Sequence, residues 1–149
     1  MMPTPREYYD QIRQLFQDNP NALKYFEYIL QHGKNFTKRM SNEKAKALAD
    51  KYGVRPKGYH ACYYNSQLLT LWSHGKIKYY EGMGLRKGLI PIEHGWNVLG
   101  SRVIDLTWED GDEYFGIEIP YSFIQKNILK TGSADQLIQK FVTSKIKSN

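Results

Sequence analysis

Three observations predict an α+β domain. Residues up to 57 carry helix-start signals and helical apolar spacing, residues 76–119 switch to alternating strand-like segments, and helical spacing returns after Pro120. The expected architecture has N-terminal helices, then a helix that opens at the single cysteine and packs on an antiparallel sheet of about four strands, then C-terminal helices. Residues 1–149 form one domain in this reading, divided into a helical part (1–57), a chemistry-bearing core (58–120) and closing helices (121–149).

Thr4-Pro5-Arg6-Glu7 is a capping box with proline at the first helical position, and Tyr8, Ile12, Leu15 and Phe16 continue at helical spacing toward Asp18. Asn19-Pro20 repeats the signal, and the stripe from Leu23 to Leu30 stops before Gly33. Ser41 caps a third helix through Ala45, Leu48 and Tyr52, closed by Gly53. Leu68, Leu69, Leu71 and Trp72 place a buried helix over Cys62–His74. Strands are expected at Lys76–Glu81, Ile92–Leu99, Arg102–Trp108 and Tyr114–Ile119, with the glycine-rich stretch Gly82–Gly88 read as a flexible loop and lid. Pro120 and Ser133 start the last two helices, the second with a Ser133–Gln136 capping box, and Lys145–Asn149 frays.

Composition narrows the function classes. The chain has 149 residues, 41% hydrophobic and 24% charged, so one core without disulfides is expected. One cysteine makes no internal bridge, no Cys/His cluster points to structural zinc, and no cofactor is called for. The start Met1–Glu7 lacks the apolar stretch of a secretion signal, and no segment has the run of apolar residues that a membrane span needs; no membrane association and a cytoplasmic location are the expectations. The net charge of +6 is concentrated in residues 1–57, with 11 Lys/Arg against 6 Asp/Glu. That bias keeps a basic nucleic-acid-binding module as an alternative, but the basic residues are interspersed with acids as on a solvated face.

Cys62 sits where the first turn of a helix leaves backbone N–H groups unsatisfied, which favours a thiolate and offers donors to an oxyanion. A thiol nucleophile needs a base and a group to orient that base. If Gly100-Ser101 is a two-residue hairpin turn, Leu99 pairs with Arg102, Val98 with Val103, Trp96 with Asp105 and His94 with Thr107. His94 and Asp105 then become diagonal neighbours on one face, within reach of a carboxylate–imidazole hydrogen bond. The bland alternative is an ordinary surface pair on a half-exposed strand. Asn65, one turn after Cys62, either faces the site or bonds backbone, and Glu81 is either a surface acid or a binder of a substrate amine.

Cys62 opening a helix, His94-Gly95-Trp96 on a strand and Asp105-Leu106-Thr107-Trp108 on the next resemble the transglutaminase-like branch of the papain-like cysteine hydrolases. Cys62-Tyr63-Tyr64-Asn65 and Tyr79-Tyr80-Glu81-Gly82 extend the likeness to small bacterial and phage proteins with the same motifs. The resemblance implies Cys62 as nucleophile, His94 as general base and acid, and Asp105 as the residue that orients His94. It also implies a protein or peptide substrate, with Trp96 and Glu81 beside it. Gly95 stands where the family has Ala, and Leu106 where it has Pro. No Gln lies between Gln31 and Cys62 to serve as the papain-type oxyanion donor, so the Cys62 N–H with Tyr59, His60 or Asn65 is expected to serve. A catalytically inactive relative that binds a protein partner is the other expectation the resemblance allows.

Overall fold

A computed structural model describes residues 2–58 and 60–147. The chain is α+β. Its elements are α1 (Pro5–Leu15), α2 (Pro20–His32), β1 (Lys34–Phe36), α3 (Asn42–Lys51), α4 (Cys62–Trp72), β2 (Lys78–Arg86), β3 (Ile92–Leu99), β4 (Arg102–Ile104), β5 (Gly111–Glu118), α5 (Tyr121–Thr131) and α6 (Ile138–Lys147). The Thr4–Glu7 capping box forms in both directions, and the Asn19 and Ser41 side chains accept from Ala22 N and Lys44 N, so the first three helices begin where the caps place them.

The sheet has five strands in the order β1-β5-β2-β3-β4, antiparallel throughout. The stretch expected to be wholly helical contains β1, and just after it the chain crosses to the opposite edge of the sheet. There Val103 N donates to Lys38 O at 2.9 Å and Met40 N to Val103 O at 2.7 Å. The sheet therefore curls on itself, and residues 38–40 cover the β4 edge.

Side-chain alternation gives the curled sheet two faces. The inside is aromatic, formed by Phe36, Tyr80, Trp96, Val98, Val103, Trp108 and Tyr114. Outside, α1, α2 and α6 pack on Tyr79, Met83, Phe115 and Ile117, while α3 and α4 pack on Ile77 and Ile104. No described helix is long and apolar enough to cross a membrane.

The glycine-rich loop and lid are corrected here. Gly82, Met83, Gly84, Leu85 and Arg86 continue β2, flanked by β3 and β5. Their glycines make room inside the curl: a Cβ on Gly84 would stand 2.6 Å from the Trp108 ring, and a Cβ on Gly116, which faces Gly82, would stand 2.7 Å from the Trp96 ring. Gly84→Ala is expected to push Trp108 aside at a cost of about 1–3 kcal/mol, the usual range for overpacking. Urea unfolding followed by tryptophan fluorescence measures it.

Candidate active site

The β3–β4 hairpin has the expected register, with Leu99 opposite Arg102, Val98 opposite Val103 and Asn97 opposite Ile104. The strand expected to reach Trp108 instead ends at Ile104, and the pairing of Trp96 with Asp105 does not form. Asp105 causes the break. Its Oδ1 accepts from Thr107 N at 3.0 Å and Trp108 N at 2.9 Å, a local turn that competes with the ladder. Leu106 is no obstacle, because this turn uses the amides of the next two residues.

The turn aims the other carboxylate oxygen at His94, with His94 Nε2 and Asp105 Oδ2 2.9 Å apart. Tyr114 Oη donates to the same Oδ2 at 2.7 Å. Arg39 stands behind that hydroxyl, its guanidinium donating to Tyr114 Oη at 3.1 Å and to Trp108 O at 2.9 Å. Trp108 stacks on the imidazole with centroids 3.5 Å apart and planes 6° from parallel. Both side chains of the His94–Asp105 pair are only 1% exposed.

Burial opposes a charge on His94, but the Asp105 charge and hydrogen bond, with a further pull from the Cys62 thiol, raise its pKa from 6.5 to about 9. Burial likewise works to raise the Asp105 pKa, and His94 with the Trp108 amide and the Tyr114 hydroxyl outweighs it, leaving the carboxyl below its ordinary value. The carboxylate is thus the imidazole's hydrogen-bond partner, and the Cys62 thiol acts on its charge from nearby.

Cys62 is the first residue of α4, half-buried and free of any disulfide. Its first-turn amides, including its own, lie beyond the reach of intrahelical acceptors. Asn65 does not face a substrate. It is buried, accepts from Lys57 N at 2.7 Å, and donates to Lys57 O at 3.2 Å and to Thr107 Oγ1 at 3.0 Å. It thereby fastens the approach to Cys62 onto the turn that holds Asp105. Ser66 Oγ joins α4 to β3 by donating to Cys62 O and Gly95 O. A Cβ on Gly95 would stand 2.9 Å from the Tyr63 ring, which accounts for glycine at that position.

Two expected substrate contacts are corrected. Trp96 is fully buried inside the curl, stacked on Tyr80, where it supports the His94 shelf. Glu81 is also fully buried, and it accepts from Tyr79 Oη, from Leu137 N at 2.8 Å and from Ile138 N at 2.9 Å. It therefore caps α6 from the sheet, and α6 begins at Ile138 rather than at the Ser133 capping box. Tyr59, an expected oxyanion contributor, lies outside the described residues, as do Ser148 and Asn149 of the tail expected to fray. Among the described residues no group of three or more His, Cys, Asp or Glu side chains converges as a metal ligand set.

Sequence reasoning missed Tyr114 and Arg39. Tyr114 carried a weak signal, since it opens the expected strand Tyr114–Ile119. Arg39 carried none, because its place depends on the crossing of the chain from β1 to β4. Compared with family models, curated proteins and solved structures, the chain matches none.

Proposed function

We propose that this chain carries out thiol-dependent acyl transfer or hydrolysis, with an acyl-enzyme formed on Cys62, His94 as base and acid, and Asp105 orienting His94, as in the transglutaminase-like cysteine hydrolases its motifs resemble. The observation that supports the reading is the buried His94–Asp105 pair, whose imidazole also feels the Cys62 thiol at the start of α4. With Nε2 held by Asp105, Nδ1 is the nitrogen left to exchange a proton with Sγ.

In the proposed reaction the proton of Sγ already rests on His94, and Sγ attacks the carbonyl carbon of an amide in a protein or peptide. The oxyanion is held by first-turn amides of α4. Collapse breaks the C–N bond, and the proton on His94 leaves with the amine. Water or a second amine then attacks the thioester, His94 accepts its proton, and Sγ departs, which restores the starting pair. Tyr114 and Arg39 act through Asp105 and are positioning residues.

p-Nitrophenyl acetate is a general acyl donor for the test. Wild type is expected to release nitrophenolate in a burst and to carry an acetyl group on Cys62 by mass spectrometry. Cys62→Ala removes both, and His94→Ala slows acetylation about 100-fold, the lower range for general acid–base catalysis. Equal esterolysis by wild type and both variants overturns the reading.

A second reading, a non-catalytic protein-binding member of the same fold, draws on the closed site, where His94 is 1% and Trp108 4% exposed. Here neither variant changes acylation, and Cys62 acts as a half-buried apolar residue.

A further inference from the structure

A cavity of about 500 Å³ lies between α1, α2, α6 and the β2–β3 ladder. Rings form much of its wall. Phe26 is at the centre, 6.4 Å from Tyr9, 5.5 Å from Phe16 and 5.0 Å from Tyr25 between centroids, with the Tyr25 ring edge-on to it at 80°. On the sheet side stand Glu93 and Gln136, with Gln136 Nε2 donating to Glu93 Oε2 at 2.6 Å and to the Tyr63 hydroxyl at 3.0 Å.

The charge of this cavity is one-sided. Among the described residues its lining contains one carboxylate, Glu93, and no lysine or arginine. The negative field reaches the rings: after burial, the charges of Glu93 and Glu81 are what push the Tyr25 hydroxyl pKa upward. Aromatic faces beside an acid suit a cation that carries its own apolar surface, since the ring quadrupole and the carboxylate attract the charge while the rings cover the alkyl groups.

We propose that this cavity binds an alkylammonium group, its charge at Glu93 and its methyl or methylene groups against Tyr9, Tyr25 and Phe26. None of these residues has a part in the proposed thiol chemistry, so the test reads binding alone. Choline chloride and its neutral isostere 3,3-dimethylbutan-1-ol are titrated into the full chain, followed by amide NMR shifts, with Glu93→Gln compared. The Glu93 residue itself is exposed, so this variant keeps the fold.

Choline is expected to shift Tyr25, Glu93 and Gln136 in a saturable one-site manner. The neutral isostere and the Glu93→Gln variant should each weaken binding about 10-fold, the scale of a partly desolvated cation on aromatic rings. Equal affinity for the isostere, unchanged affinity in Glu93→Gln, or no choline-dependent shift at these residues overturns the proposal. Loss of p-nitrophenyl acetate turnover with choline binding intact counts against the acyl-transfer reading only.

Discussion

Asp105→Ala is expected to destabilise the protein by about 3–5 kcal/mol, the usual cost of breaking a buried ion pair from one side. The carboxylate serves four donors: His94 Nε2, Tyr114 Oη, Thr107 N and Trp108 N. Alanine leaves all four without this acceptor and removes the charge that holds the His94 proton. Burial then opposes the imidazole's charge with only the Cys62 thiol acting against it, so its pKa should fall from about 9, a change visible in the histidine ring resonances by NMR.

The pH dependence has a defined sign. A histidine whose folded pKa is raised contributes stability that is complete below 6.5 and is lost as pH rises through about 9. Asp105, whose folded pKa is lowered from 3.8, contributes stability present above that value and lost as pH falls. The gap between wild type and Asp105→Ala is therefore largest between these limits and narrows toward pH 9. Urea unfolding at several pH values measures it, and a gap that widens toward pH 9 contradicts the pairing.

Glu81→Ala should cost more than about 3 kcal/mol, because each buried donor left unsatisfied costs about 1–3 kcal/mol and three lose their acceptor. Glu81→Gln is the finer probe, since its amide nitrogen presents a donor where α6 needs an acceptor. Burial, only partly offset by the Tyr79 hydroxyl and the Leu137 and Ile138 amides, raises the Glu81 pKa from 4.5 to about 7. The folded chain thus keeps this proton after the unfolded chain has released it, and stability falls as pH rises from 4.5 to 7. Glu81→Gln lacks that fall, so its deficit relative to wild type should shrink across the same window. A deficit that grows there contradicts a raised Glu81 pKa.

The parts of the fold legible in the sequence are those set by neighbouring residues. Thr4, Asn19 and Ser41 bond their own first-turn amides, and the Gly100-Ser101 turn sets the hairpin register that brings His94 near Asp105. The misread parts depend on distant partners. Gly82 and Gly84 weigh against a strand by propensity, yet they occupy one because Trp108 and the β5 backbone need the space. Ser133 loses to Glu81 as the support for the start of α6, since a buried carboxylate reaching from β2 holds two amides. Three-residue β1 exists through its pairing with β5, and Arg39 reaches Tyr114 only because the sheet curls. Among the candidate residues, the His94–Asp105 pair is readable from motif and register. The buried roles of Asn65, Trp96 and Glu81 became apparent only from packing.

The most direct test of the proposed Cys62–His94 pair is the rate of Cys62 alkylation by iodoacetamide from pH 5 to 9, in wild type and His94→Ala, each checked as folded by near-ultraviolet circular dichroism. In the proposed pair the proton of Sγ is held by His94, which leaves the sulfur nucleophilic. Wild type is expected to label at least about 10-fold faster than His94→Ala near pH 6.5. The two rates should converge near pH 9, where His94 loses its proton. Superimposable profiles across the whole range would contradict the pair, and with it the acyl-transfer reading.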